Sequence, residues 1–281
     1  MTTFAPADVT GLPRVIVRPA TFRRLVAAEW VKLRSLRSTW WMLAVGTLFL
    51  PLFAVSRTAS IAQVPEAVGS SSMVGAVYVT SGVALAQLVF CTLGVLAVTA
   101  EYGSGQIRAT LVAAPTRLPV LGAKVLMTVG TVVAASMVGV ALAWAGSARW
   151  FEVTGMSVDL TRAEDLRILL GVPLYLAAAT ALACGIGAVV RHSAAGVAAV
   201  LGLLVVVENG LGAIPWTPLQ TFAAHLPSSA GTRLLQSDAV GSVITTSSTT
   251  MLSPWEGFAV MLGWVLVALG VAAVLLRRRD A

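Results

Sequence analysis

Charge is what this sequence has least of. Only 11% of its 281 residues are Asp, Glu, Lys or Arg, against roughly 25% in a soluble domain. So few charged side chains cannot give a body of this size a polar exterior, which excludes an ordinary soluble enzyme. Cysteine is nearly absent too. Cys91 and Cys184 are the whole complement, each inside an apolar run, so neither a disulfide framework nor a cysteine-rich metal site is available. There are two histidines, His192 and His225, with no HExxH pairing and no serine or cysteine near either in an arrangement that supports catalysis, which leaves no nucleophilic or metal-dependent catalytic set. Gly103-Ser104-Gly105 is not followed by Lys-Ser or Lys-Thr at Walker A spacing, so it does not read as a phosphate-binding loop. The chain is expected to have no catalytic, metal or cofactor site of its own.

What is present is hydrophobic sequence, 57% of the chain, with a mean hydropathy of +0.88. A membrane-spanning helix needs about 20 mainly apolar residues. Five uncharged windows meet that need: residues 38–56, 67–100, 125–148, 168–190 and 257–276. The second is too long for one crossing, so its helix is placed at about 73–99. A sixth span is expected at about 193–214, after His192 and before the Pro215-Trp216-Thr217-Pro218 turn signal. It contains Glu208, which lies about 22 Å up the helix axis from Ser193. That acid reads either as an interfacial carboxylate reaching water or as part of a translocation path. The expected fold is an all-α integral membrane protein with six transmembrane helices, at about 38–56, 73–99, 125–148, 168–190, 193–214 and 256–276. The first apolar run begins only after about 38 residues that include seven Arg or Lys, so it is expected to stay as an anchor and not to act as a cleaved leader.

Basic residues set the expected orientation. With both ends inside, cytoplasmic segments hold 14 of the 19 Lys and Arg residues, the bias that the positive-inside rule favours. The net charge of +7 is read as lipid anchoring, since these residues flank the apolar runs, and no nucleic-acid partner is expected.

The connecting segments differ in kind. Residues 1–21 read as a flexible cytoplasmic tail, and 22–281 as the transmembrane domain. From Phe22 an apolar arc of Phe22, Leu25, Val26, Trp30, Leu33 and Leu36 opposes Arg23, Arg24, Lys32 and Arg34, which predicts an amphipathic helix lying on the membrane surface or a plain juxtamembrane anchor. Glu29 falls inside the apolar arc and points to a specific cationic partner. The cytoplasmic loop 101–124 is expected to bend at Gly103 and Gly105, form a short helix over 106–114, and stop at Pro115. Residues 149–167 read as a solvated connection. Residues 215–254 read as short re-entrant helices followed by a Ser/Thr-rich tip. Within the spans, Ala177, Ala181 and Gly185 form a small-residue face for close packing. Gln87, Thr92 and Ser136 are the candidate translocation-path residues, each with the alternative of bonding to a neighbouring helix.

Two segments in this order resemble the ABC-2 type permeases of bacterial ATP-binding-cassette exporters: AEWVKLRSLRSTWW at 28–41 and EYGSGQIRATLVAAPTRLPVLGAK at 101–124. Six spans, a long final outer loop and a basic tail complete the likeness. The resemblance implies the ABC-2 transmembrane-domain fold in the bacterial plasma membrane. It also implies a dimer with a second permease copy or a sister permease, driven by two copies of a separate ABC ATPase subunit that binds ATP and Mg. Residues 22–36 would then be the connecting helix and about 101–113 the coupling helix. The ATPase-coupling interface would comprise Glu101, Tyr102, Gly103, Gly105, Gln106, Arg108, Leu111 and Pro115, with Glu29 and Lys32. Gln106 stands where many members have Thr. The expected function is that of a permease subunit in an exporter. A secondary transporter or channel, and a non-transporting anchor or immunity-type protein, stand as the alternatives.

Overall fold

In the computed structural model the described residues are 21–64, 74–103, 105, 117–237 and 252–278. They form helices and connecting turns, with no strand among them. In chain order the helices are α1 (Phe22–Ser35), α2 (Arg37–Ala62), α3 (Gly75–Gly103), α4 (Arg117–Thr154), α5 (Ala163–Val190), α6 (Ser193–Ala213), α7 (Thr217–Ala224), α8 (Pro227–Gly231) and α9 (Pro254–Arg278). Of these, α2, α3, α4, α5, α6 and α9 are long and apolar enough to cross a membrane.

The bundle is built around α5, whose Tyr175, Leu176 and Leu182 are fully buried against Phe90 and Val95 of α3 and Met261 of α9. Small residues permit that approach. A Cβ on Gly94 would stand 2.7 Å from the carbonyl oxygen of Thr180, and one on Gly185 would stand 2.9 Å from the Cβ of Ala268, so α3 and α9 sit nearly backbone to backbone against α5. The small-residue face expected on α5 therefore includes one helix contact at Gly185. By contrast, α2, α6 and α9 leave Leu48, Leu52, Val206, Leu266, Val267 and Val271 exposed. Apolar surface on this scale is a liability in water and the normal condition in lipid.

The helices outrun the predicted windows at charged residues. Counting uncharged residues ends the third window before Arg149, yet α4 continues through Arg149, Trp150 and Glu152 to Thr154 and ends at Gly155, whose φ is 72°. A charge at the interface ends burial in lipid without ending helical hydrogen bonding, whereas a left-handed glycine ends both. For the same reason α3 runs past residue 99 to Gly103. Glu101 and Tyr102 thus lie on the final turn of a long helix, and Lys124 lies inside α4, correcting their placement in the 101–124 loop.

Two helices have internal irregularities. A 3₁₀ turn, Thr80–Gly82, interrupts α3 near its start, and a π-helical stretch, Gly202–Val207, lies within α6 just before Glu208. Beyond α6, α7 and α8 form the short helices expected in 215–254; most of the Ser/Thr-rich tip lies outside the described residues. The connection between α4 and α5 is mostly exposed, and it is also tied down where it meets α5. Asp165 is buried and accepts a 2.8 Å bond from the Asp159 amide, and Arg167 donates to the Leu234 carbonyl at 3.1 Å.

Candidate functional site

The chain has only two lysines among its 19 basic residues, and both lie in one cluster. Helix α1 presents Glu29 and Lys32 one turn apart, α3 supplies Glu101 from its last turn, and α4 supplies Lys124 from within its second and third turns. Lys124 donates to Glu29 Oε2 at 2.9 Å and to Glu101 Oε1 at 2.8 Å. Lys32 donates to Glu29 Oε1 at 2.9 Å and to Glu101 Oε1 at 2.6 Å. Charges of opposite sign alternate around this ring, and its two cations and two anions cancel.

Burial makes the ring consequential. Glu29, Glu101 and Lys124 are 6%, 4% and 5% exposed. Each would be expensive to hold alone away from water, and each is stable there because both partners of opposite sign are in bonding range. Lys32 is more open. Its burial pushes the ammonium towards deprotonation, but the hydrogen bonds and charges of Glu101 and Glu29 outweigh that and hold its pKa above the ordinary lysine range. The cationic partner expected for Glu29 is therefore a pair, Lys32 and Lys124, and α1 is fastened to the bundle by ions as well as by Leu33.

The same turn of α3 makes two further attachments. The Tyr102 ring lies 5.1 Å from the Arg191 guanidinium carbon, a cation–π contact. Arg191 ends α5 in the left-handed conformation at φ 58°, and its amide bonds the Gly187 carbonyl. Two residues on, Ser193 opens α6 and shares a 2.8 Å hydroxyl bond with Thr99, while His192 Nδ1 caps α6 by accepting from the Ala195 amide. The end of α3 is thus a junction joined to α1, α4 and the α5–α6 turn. Beyond it, Gly105 has φ 70° and bonds back to the Tyr102 carbonyl, giving the expected bend.

Of the residues assigned to the coupling interface, Glu29, Lys32, Glu101 and Tyr102 come together here, and Gly103 and Gly105 follow in the open. Gln106, Arg108, Leu111 and Pro115 lie outside the described residues, as does the short helix expected over 106–114. Sequence reasoning missed Lys124 and Arg191 as site residues. The available signal was the rarity of lysine, since both lysines flank apolar segments in a chain that otherwise uses arginine.

Farther along the bundle is a cavity of about 300 Å3 lined by Gln87, Glu208, Ser228 and Ser229 together with apolar side chains such as Val83 and Leu204. Gln87 is fourteen residues before Glu101, so about 21 Å separates the two sites along α3. Tyr175 donates to Gln87 Oε1 at 2.7 Å and lies 2.7 Å from Ser228 Oγ. Glu208 is 4% exposed, which corrects its reading as an interfacial acid reaching water. It accepts from the Ser228 and Ser229 amides at 2.9 and 2.6 Å and from Ser229 Oγ at 2.8 Å, so the carboxylate anchors α8 to α6. Among the candidate path residues, only Gln87 lines this cavity. Thr92 and Ser136 each donate to a carbonyl of their own helix, Leu88 and Val133, and make no bond to a neighbouring helix among the described residues. No protein-family model matches the chain, and no curated protein matches it.

Proposed function

We propose that this chain is the membrane-spanning permease subunit of an ABC-2 type exporter, driven by a separate ATPase that docks where α3 leaves the bundle. The observation that carries the reading is the buried ring of Glu29, Lys32, Glu101 and Lys124. A segment pushed by an external motor must transmit displacement to the helices without local yielding. Here the last turn of α3, which leads into residues 104–116, is bound through Glu101 to α1 and α4 by two charge-assisted hydrogen bonds, Glu29 closes the ring between α1 and α4 with two more, and Tyr102 and Thr99 tie the same end of α3 to the α5–α6 turn. Breaking one member of a buried ion set costs several kcal/mol, and packed helices move as rigid bodies. Closure of two ATPases would therefore rotate these helices together and reshape a path between two permease copies. The chain itself would hydrolyse nothing, and ATP with Mg would be bound by the partner.

A secondary transporter would use a buried acid as its coupling group, and Glu208 is the natural candidate. Its two oxygens already accept three bonds from Ser228 and Ser229, an arrangement that favours an anchor over a carboxylate that changes partners. Affinity purification of the tagged chain from its native membrane tests the proposal. A soluble P-loop ATPase should accompany it, and the Glu101→Gln and Lys124→Met variants should recover less of that ATPase or uncouple its hydrolysis from transport. Recovery of the folded chain without any ATPase would leave the channel or anchor readings instead.

A further inference from the structure

A groove of about 560 Å3 runs along the outside of the bundle between α2 and α4, beneath the end of α1. Its floor is made by the small side chains of Ala44, Thr47, Ala134 and Ala135, and larger side chains such as Trp40, Leu48 and Leu142 form its rims. The small residues have a structural cause. Thr47 Oγ1 approaches the Ala135 carbonyl at 3.4 Å, so α2 and α4 are close together there and nothing bulky fills the valley above them. At the α1 end the groove is bordered by Trp30, Arg34 and Trp40. The Trp40 indole donates to the Arg34 carbonyl at 3.1 Å, fixing the end of α1 over the groove mouth. The Arg34 side chain is exposed, and its guanidinium makes no hydrogen bond or ion pair among the described residues. Arg37, the first residue of α2, stands exposed two residues beyond α1.

We infer that this groove holds one acyl chain of an anionic glycerophospholipid, with the lipid phosphate at Arg34. Two observations converge on that occupant. The first is length. From Thr39 to Pro51 the groove follows α2 for about 18 Å, close to the roughly 15 Å of hydrocarbon in one leaflet. The second is the mouth. Two tryptophans and an exposed arginine sit where an apolar groove meets the interface, the arrangement suited to a headgroup carrying a phosphate. The lipid would brace α1 from outside while the ion ring holds it from inside. This inference needs the bundle to sit in a bilayer and does not depend on an ATPase docking to it.

Native mass spectrometry on the purified chain, released from nanodiscs of equal phosphatidylglycerol and phosphatidylcholine, tests it. The wild type should retain phosphatidylglycerol preferentially. Arg34→Gln should reduce that preference by about fivefold, the effect of one interfacial basic residue. Ala134→Leu and Ala44→Leu, both at exposed floor positions, should each expel the lipid while leaving the melting temperature near that of the wild type. Using two floor variants guards against misfolding of one. Equal retention of both lipids by the wild type, or retention unchanged in the two folded floor variants, would overturn the inference. Disulfide-linked dimers of Leu48→Cys in the membrane would also overturn it, because a second copy of the chain would then cover the groove.

Discussion

Lys124 is the residue on which the site turns. It is the one member of the ring bound to both acids while itself 5% exposed. Replacing it with methionine preserves bulk and leaves two buried carboxylates facing Lys32 alone, so Lys124→Met should destabilise the fold by about 3–5 kcal/mol. Adding Glu29→Gln restores neutrality, since Glu101 then pairs with Lys32. The double variant should accordingly recover part of the loss. Unfolding by SDS from mixed micelles measures all three proteins, and losses that simply add would show that the four groups do not act as one network. The pH dependence has a defined sign. Lys32 has a folded pKa raised above 10.5, so its contribution is fully present below that value and is lost only as pH rises through the higher folded one. Stability attributable to Lys32, taken as the difference between wild type and Lys32→Met, should therefore be constant between about pH 6 and 9. A decline across that interval would mean that the ammonium is not held by its acids.

At the scale of elements, what could be read in advance depended on which physical signal marks each boundary. Uncharged windows located five of the six long helices, because burial in lipid is governed by the same charge count, and the sixth, which carries Glu208, was placed from the turn signal at Pro215 that follows it. Helix ends were poorly located because hydrogen bonding continues past a charge, as at Arg149 and Glu101. The ring was half legible. Glu29 stood out as an acid inside an apolar arc and Glu101 as a lone acid beside Gly103, but nothing local says that Lys124, 95 residues from Glu29, lies opposite both. Pairing across that distance is decided by how α1, α3 and α4 pack. Packing at α5 gives its own prediction. Gly185→Leu drives a side chain into the Ala268 backbone, which a Cβ alone would approach to 3.0 Å. Overfilling of this kind costs typically about 1–3 kcal/mol, more when backbone must shift. Gly263→Leu on the open side of α9, where nothing lies within 4 Å, should cost little by the same SDS measurement. Equal losses from the two would show that α5 and α9 are not in close contact.

For the whole molecule the decisive quantity is which face of the bilayer carries the ring. Arg23, Arg24, Arg34, Arg37 and Arg191 belong to the same end of the bundle as Lys32 and Lys124, and the Arg191 guanidinium reaches 3.5 Å from the Leu275 carbonyl, bringing the basic end of α9 there too. The opposite end carries Arg57, Arg149, Arg162, Arg167 and Arg233, but acids accompany them there: Asp159 lies 3.7 Å from Arg162 and Glu164 lies 3.9 Å from Arg167. Insertion counts Lys and Arg, and acids contribute little to it. The larger basic set should therefore hold the α1 end in the cytoplasm. A fluorescent reporter that matures only in the cytoplasm, fused after Arg279, should be bright, and an alkaline phosphatase fusion at the same point should be inactive. The reverse result would put the ring and the end of α3 on the side of the membrane without ATP, where no ATPase can grip them. Six lipid-embedded helices would survive that outcome, but the exporter reading would not.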